Sequence, residues 1–150
     1  MDPLDAIKQH LDKTDDATLL ILRTHLLLEE RLRDVLTRIC RSAEDLQAAR
    51  LSFYQVLCLC RAVVGRQEDP AWGFAARLNE VRNRMAHRLD PGDLDELLGS
   101  AVEKLGPGYA DRFKTPADRF RAAAFYACGY FDAIKGSIWL REAYARKAEV

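Results

Sequence analysis

The sequence predicts an all-α fold for this chain of 150 residues. Its apolar residues recur at intervals of three and four rather than two, which is the period of helices and not of strands. Only eight glycines and five prolines interrupt the pattern, so few positions force a helix to end. With 49% hydrophobic and 31% charged residues, the chain can bury a core without disulfides or metal. We therefore expect a single domain over residues 1–150, built as a bundle of about five to six helices with short connections.

The first half of the chain is predicted to form three helical stretches. Pro3 near the start favours a short first helix that runs to about Lys13. A long second helix is predicted from about Asp16 to Arg41, because apolar residues recur along it at helical spacing. Its expected core stripe consists of Ile21, Leu28, Leu32, Val35 and Ile39. The pattern from Ser42 to Asp45 is typical of a capping box, so a third stretch is predicted from there to Val64, with a break near Leu51 and Ser52 and an end at Gly65.

The second half is predicted to form three more helices. One enters near Pro70 and stops at the turn signal 90–92, and its apolar stripe is Trp72, Leu78, Val81, Met85 and Leu89. An acidic helix covers 93–105, followed by the loop signal 106–108. The last helix starts at the capping pattern 115–118 and runs to about Lys147. Its apolar and aromatic side chains need either the bundle core or a second copy as a partner: Phe120, Ala124, Phe125, Tyr126, Ala127, Tyr130, Phe131, Ile134, Ile138, Trp139 and Tyr144.

Two features bear on the compartment and on metals. The acidic N-terminus lacks the basic start and apolar run of a signal peptide, and no apolar run approaches the ~20 residues that cross a bilayer. The four cysteines, Cys40, Cys58, Cys60 and Cys128, lie within apolar helical patterns and lack the spacing of a zinc site. We therefore expect a cytoplasmic protein with buried free thiols, no metal, no cofactor and no membrane contact.

Charge is balanced over the whole chain but not along it. Lys and Arg together number 23, as do Asp and Glu, so the molecule has no overall basic field to attract nucleic acid. Between Arg77 and Arg88, however, four arginines stand against one glutamate, and between Asp90 and Lys104 five carboxylates stand against one lysine. The basic stretch, with Arg77, Arg84 and Arg88 as candidate substrate-binding residues, is the place where RNA could bind, although a solvated face would have the same charge pattern.

Within the basic stretch, Arg82, Asn83 and His87 form a combination suited to phosphate chemistry. An arginine can hold a phosphate with two parallel hydrogen bonds, and a histidine can move the proton of a ribose 2′-hydroxyl near neutral pH. On an ideal helix, Asn83 and His87 share a face, whereas Arg82 and His87 are rotated by about 140°. A single active centre therefore requires that Arg82 reaches round, that the helix end is distorted, or that a second subunit supplies part of the set. Without such a centre, we expect Arg82 to lie in a buried ion pair and His87 to be a histidine that the helix dipole favours at the C-terminal end.

The string from Leu78 to His87 resembles the Arg-x4-6-His signature of the HEPN superfamily, in the common form with a polar residue after the arginine. The segments 24–32 and 49–54 also resemble the long second helix of those proteins and the stretch that follows it in small stand-alone and mannitol-repressor-like members. The resemblance covers roughly residues 19–98 and implies an all-α, HEPN-like homodimer whose two motifs meet at a cleft. In active members it implies a metal-independent RNA endonuclease that leaves a 2′,3′-cyclic phosphate, often a toxin or phage-defence effector.

Carried over residue by residue, the resemblance implies that Arg82 binds the scissile phosphate, His87 transfers a proton at the 2′-hydroxyl and Asn83 positions one or the other. Some members are silenced by a partner adenylyltransferase and carry tyrosine two residues after the histidine. Here that position is Leu89, so this control is not expected. The superfamily also includes non-catalytic regulators or adaptors that bind a protein or nucleotide. The balanced charge favours that alternative and the intact motif favours the ribonuclease, while a masking partner such as an acidic antitoxin would reconcile both.

His25 and Glu29, four residues apart on the long helix, are the second candidate pair. His25 is in register with the apolar stripe, where an imidazole is more often a hydrogen-bonded core residue than a catalyst. We expect Glu29 to be a buried carboxylate that pairs with Arg82 and supports the site. Glu30 and Arg31 are expected to face solvent.

Overall fold

The computed structural model describes residues 3–12, 14–65, 68–88 and 90–148, with the side chains of 3, 4, 6, 110, 139, 140 and 142–148 outside the description. Within these ranges the chain contains no strand. Its helices are α1 (Pro3–Leu11), α2 (Ala17–Ile39), α3 (Ala43–Ala48), α4 (Phe53–Val64), α5 (Pro70–His87), α6 (Leu94–Val102) and α7 (Pro116–Ala148), with short 3-10 segments at Glu103–Leu105 and Ala110–Arg112. The prediction of an all-α bundle is confirmed.

The helices begin where side chains can accept the first free backbone N–H groups. Asp16 caps α2 by accepting from Leu19 N, and Ser42 caps α3 by accepting from Asp45 N. The predicted break near residue 51 separates α3 from α4, and Ser52 and Gln55 form a reciprocal capping box there. Two predicted ends were too late, because α2 stops at Ile39 and the acidic helix turns into the 3-10 segment after Val102.

The core lies between α2 and the helices packed around it. On α2 the buried side chains recur at helical spacing: Leu20, Ile21, Thr24, His25, Leu28, Leu32, Val35 and Leu36. Ile39, Met85 and Ile138 were predicted as core residues but are only partly buried, at the edge of the packed cluster. The predicted core positions Leu89, Trp139 and Tyr144 lie outside the described side chains.

Helices α4 and α7 both run parallel to α2. Phe53 stacks on His25, and the Cys60 thiol donates to Leu32 O. The second contact lies seven residues after the first on both helices, so α4 and α2 run in the same direction. Arg31 pairs with Asp132 and Asp34 with Lys135, so α7 advances with α2 as well. Consecutive helices can be parallel only if the connection returns along the bundle. Residues 40–52, which include α3, make that return for α4.

The aromatic side chains of α7 pack largely into the bundle core. Phe120 and Phe131 are fully buried. Trp72 of α5 meets Phe131 edge-on at a centroid distance of 4.9 Å, and Phe74 contacts Phe120 at 5.7 Å. The half-buried Phe125, Tyr126 and Tyr130 pack against the same cluster. For these described aromatics, the partner left open by the sequence is therefore the core of the same chain.

The cysteine prediction was half wrong. Cys60 and Cys128 are buried, and burial raises the pKa of each thiol to about 12. Cys40 and Cys58 are exposed, because Cys40 follows the end of α2 and Cys58 lies on the outer face of α4. All four are free thiols. None of the described helices is both long enough and apolar enough to cross a bilayer.

Candidate functional site

The basic stretch forms the C-terminal part of α5 and is largely exposed. Arg82 is half-buried, while Asn83, Arg84 and His87 are exposed, and Arg88 is exposed just beyond the helix. Asp69 caps this helix and Pro70 occupies its first turn, so the basic residues lie at the opposite, C-terminal end. The negative end of the helix dipole favours their positive charge.

Helix α5 is regular through His87, and only Arg88 leaves the helical conformation, with φ −131° and ψ 132°. A distorted helix end therefore does not bring Arg82 and His87 together. Arg82 instead bends along the surface, and its Nη1 donates to Asn83 Oδ1 at 3.3 Å. Since Asn83 shares a helix face with His87, the carboxamide lies between the guanidinium and the imidazole. Among the described contacts, no hydrogen bond joins Arg82 to His87.

The three flanking arginines have different surroundings. Arg77 is held by Glu80 Oε2 at 2.7 Å and by Ser100 Oγ at 3.1 Å, so its charge is partly neutralised. Arg84 lies against the turn at Gly92, where an added Cβ would come within 3.3 Å of its Nη2. For Arg88 the structure gives exposure and no described partner. Arg84 and Arg88 thus extend the basic surface, whereas Arg77 also ties α5 to α6.

His25 lies in a buried pocket beside the basic stretch. Its ring stacks on Phe53 at a centroid distance of 4.2 Å, and its Nε2 lies 3.2 Å from Oδ1 of Asn79. His25 is 7% exposed and Asn79 is 9% exposed, so this is a buried hydrogen bond between α2 and α5. The prediction that His25 is a hydrogen-bonded core residue is confirmed.

Glu29 does not pair with Arg82 as predicted. Its Oε1 accepts from Arg33 Nε at 3.0 Å and from Arg33 Nη2 at 2.7 Å, one turn along α2. Its Oε2 lies 3.9 Å from His25 Nδ1. The side chain is 27% exposed, so Glu29 is not fully buried either. Residues four apart lie on the same face of a helix, so Glu29 and Arg33 can meet without any long-range packing. This local pair formed in place of the predicted pair with Arg82.

Burial and three polar groups act on the pKa of His25. Burial lowers the pKa of the imidazole below its ordinary value of 6.5, and the positive charge of Arg82 lowers it further. The hydrogen bond to Asn79 and the charge of Glu29 oppose this shift. The net effect keeps His25 neutral at pH 7.

A row of exposed leucines on α2 borders this pocket. Leu19, Leu22 and Leu26 are 41%, 39% and 64% exposed, and their spacing of three and four places them along one side of the helix. Leu22 and Leu26 lie on the same side as Glu29. Three exposed leucines along one side of a helix form an apolar row of the kind that association buries.

Asn79 and Arg33 are the polar residues near the site that residue-level reasoning missed. In the sequence, Asn79 is only one residue of the string that resembles the HEPN signature. Its position one helical turn before Arg82, on the same side of α5, is the feature that could have identified it. Arg33 holds Glu29 and also donates to Leu51 O at 2.7 Å, which anchors the segment returning to α4. No group of three or more potential metal ligands occurs in the part of the chain that the structure describes.

No family model, curated protein or solved structure matches this chain. The site is therefore interpreted from its own residues and geometry.

Proposed function

We propose that the chain is a metal-independent RNA endonuclease of the HEPN type whose active site forms between two copies. The observation that carries the proposal is the arrangement of the half-buried Arg82 with the exposed Asn83 and His87 at the end of α5. These residues match the Arg-x4-6-His signature. All three side chains are accessible, as a site for a large anionic substrate requires.

The proposed reaction is a transesterification within the RNA. The ribose 2′-oxygen attacks the adjacent phosphorus, the bond from phosphorus to the 5′-oxygen breaks, and a 2′,3′-cyclic phosphate remains. His87 accepts the proton of the 2′-hydroxyl, and a proton from water goes to the leaving 5′-oxygen. Arg82 binds the phosphate and stabilises the charge that develops on it. Asn83, which accepts from Arg82, orients the guanidinium, and Arg84 and Arg88 bind the flanking strand.

In a homodimer, the arginine of one copy can meet the histidine of the other, which the single chain keeps apart. Because the regular helix rotates Arg82 and His87 by about 140°, each site takes the arginine of one copy and the histidine of the other. The exposed leucine row on α2 borders the same region and would be covered by the second copy. A cytoplasmic toxin or phage-defence effector acting on cellular RNA is the biological role that this activity fits, with an antitoxin as a possible masking partner.

The cleavage test compares wild type, His87→Ala and His10→Ala on total bacterial RNA in EDTA. His10 is an exposed histidine on α1, so its replacement controls for losing any surface imidazole. We expect wild type and His10→Ala to leave 2′,3′-cyclic ends, and His87→Ala to lose at least about a hundredfold in rate. A synthetic RNA with 2′-O-methyl groups must resist cleavage. Cleavage by His87→Ala at the wild-type rate would overturn the proposal.

A mixing experiment tests the shared site. Arg82→Ala and His87→Ala homodimers are each inactive under the proposal. In a mixed dimer one of the two sites receives both intact residues, so random exchange should restore about a quarter of wild-type activity. No recovery after proven subunit exchange would show that both residues act within one chain.

The balanced charge favours a second candidate, a non-catalytic HEPN-like regulator or adaptor. RNA affinity depends on phosphate neutralisation, yet Lys and Arg only equal Asp and Glu in number, and Arg77 is engaged by Glu80. Such a protein would use the same cleft to bind a protein or nucleotide. Failure of wild type to cleave any RNA, together with loss of partner binding on Arg82→Ala, would support this candidate against the ribonuclease.

A further inference from the structure

The carboxamide oxygen of Asn79 has a hydrogen-bond partner, whereas its nitrogen has none among the described residues. Its Oδ1 lies 3.2 Å from His25 Nε2, and because this oxygen can only accept, Nε2 donates. No described residue offers Nδ2 an acceptor within hydrogen-bond distance. The fully buried side-chain atoms without a partner in the described chain are Thr24 Oγ1 and Arg61 Nε. Nδ2 of Asn79 is not one of these sealed atoms, so part of it is open to solvent although the residue as a whole is 9% exposed.

That free end lies beside the proposed phosphate site. Asn79, Arg82 and Asn83 occupy positions i, i+3 and i+4 of α5, so their side chains are neighbours on the helix surface. Arg82 begins about 4.5 Å further along α5 than Asn79, on the side of the helix that faces the His25 pocket. A ligand bound by Arg82 would thus meet the Nδ2 donors one helical turn away.

His25 is built to hold this carboxamide in one orientation. The imidazole is stacked on Phe53 and 7% exposed, so it has little freedom to turn. The Nε2–H group of the ring therefore fixes the Asn79 oxygen and with it the direction of Nδ2. An oriented donor loses less rotational entropy on binding than a free one.

We propose that Asn79 contacts the substrate directly, donating from Nδ2 to an oxygen of the RNA next to the phosphate bound by Arg82, and that His25 is its positioning residue. The inference rests on the proposed function, since it assigns two further residues to the same site. His25 touches no reacting atom and acts only through Asn79. It thereby differs from His87, which exchanges a proton with the substrate.

The test is a double-mutant cycle on binding and cleavage. The variants are Asn79→Ala, His25→Phe and the double substitution, measured as Kd for an uncleavable 2′-O-methyl RNA and as KM and kcat for the cleavable RNA. Phenylalanine keeps the ring that packs on Phe53 and removes the Nε2 donor. We expect each single variant to raise Kd and KM about tenfold with a smaller effect on kcat, the size of one lost hydrogen bond to a charged group. The double variant should be no worse than Asn79→Ala, because both substitutions remove the same interaction.

Two controls separate positioning from stability. His25→Gln places an amide N–H where Nε2 lies and should bind RNA within about twofold of wild type. Thr24→Val alters the neighbouring buried side chain, whose hydroxyl has no partner, and should also leave Kd unchanged. Thermal unfolding of every variant shows whether it is folded. If Asn79→Ala binds RNA like wild type, or if the two effects add, the inference is wrong.

RNA binding by Arg82→Ala distinguishes a wrong role for Asn79 from a wrong proposed function. Weak RNA binding by Arg82→Ala together with normal binding by Asn79→Ala would refute only the role of Asn79. Equal binding by wild type and Arg82→Ala, or no binding by wild type, would refute the proposed function and this inference with it.

Discussion

His25 is a polar side chain in the core, and three contacts make that position possible. Asn79 satisfies one ring nitrogen, Glu29 faces the other, and Phe53 covers one side of the ring. Burial favours the neutral imidazole. The charge of Glu29 raises the pKa of the imidazole and the charge of Arg82 lowers it. The protonation of His25 therefore depends on charged groups of both α2 and α5.

His25 makes stability depend on pH in a defined direction. Its pKa in the folded chain lies below 6.5, the ordinary value that applies when unfolded. As pH falls below about 6.5, the unfolded state binds a proton that the folded state resists, so unfolding becomes easier until the folded pKa is passed. We expect the unfolding temperature of wild type to fall between pH 7 and pH 5.

The matched control for this pH dependence is His25→Gln, which keeps a donor for Asn79 but cannot titrate. Its unfolding temperature should fall less over the same pH interval. Parallel curves for wild type and variant in thermal denaturation monitored by circular dichroism would show that His25 is not the responsible group.

At the scale of the element, short-range signals decide where the helices start and stop. Ser52 and Gln55 form the capping box of α4, and Gly65 ends that helix with φ 71°, in the left-handed region. These interactions lie within four residues along the chain, so they could be predicted from the sequence. The end of the acidic helix was predicted less well, because the chain tightens into the 3-10 segment where it packs against α5.

Replacing glycine by alanine should have opposite effects at Gly65 and Gly136. At Gly65 the left-handed backbone strains any Cβ, so Gly65→Ala should destabilise the protein by about 1–2 kcal/mol. Gly136 is exposed within α7 and has open space around an added Cβ. There alanine should stabilise by about 0.5–1 kcal/mol. Urea denaturation of both variants measures the difference, and the same sign at both positions would contradict it.

At the scale of the whole molecule, charged links hold α7 against the N-terminal half. Arg31, expected from the sequence to face solvent, is 10% exposed and pairs with Asp132 at 3.2 Å. Arg121 is 13% exposed, pairs with Asp15 and Asp118, and also donates to the carbonyl of Leu11 and that of Thr14. Removing Arg121 leaves the partly buried carbonyls of Leu11 and Thr14 without this donor.

Arg121→Ala and Lys135→Ala compare a buried link with an exposed one on the same helix. Lys135 reaches Asp34 at 3.0 Å through side chains that are 34% and 50% exposed, so its loss should cost no more than about 1 kcal/mol. Arg121→Ala should cost about 2–4 kcal/mol, because it loses several hydrogen bonds to charged or buried groups. Guanidinium denaturation measures both, and equal costs would contradict this account.

The sequence by itself determined the helices, most of their caps, the burial of His25 and the position of the Arg82, Asn83 and His87 set on α5. All of these depend on residues within about four positions of one another, where helix geometry alone sets the neighbours. The partners of polar side chains across the bundle were decided only by the tertiary structure. His25 meets Asn79 across 54 residues of sequence and Arg31 meets Asp132 across 101. Such pairs depend on the direction and rotation of whole helices, which the summed packing of the core sets and no local pattern encodes.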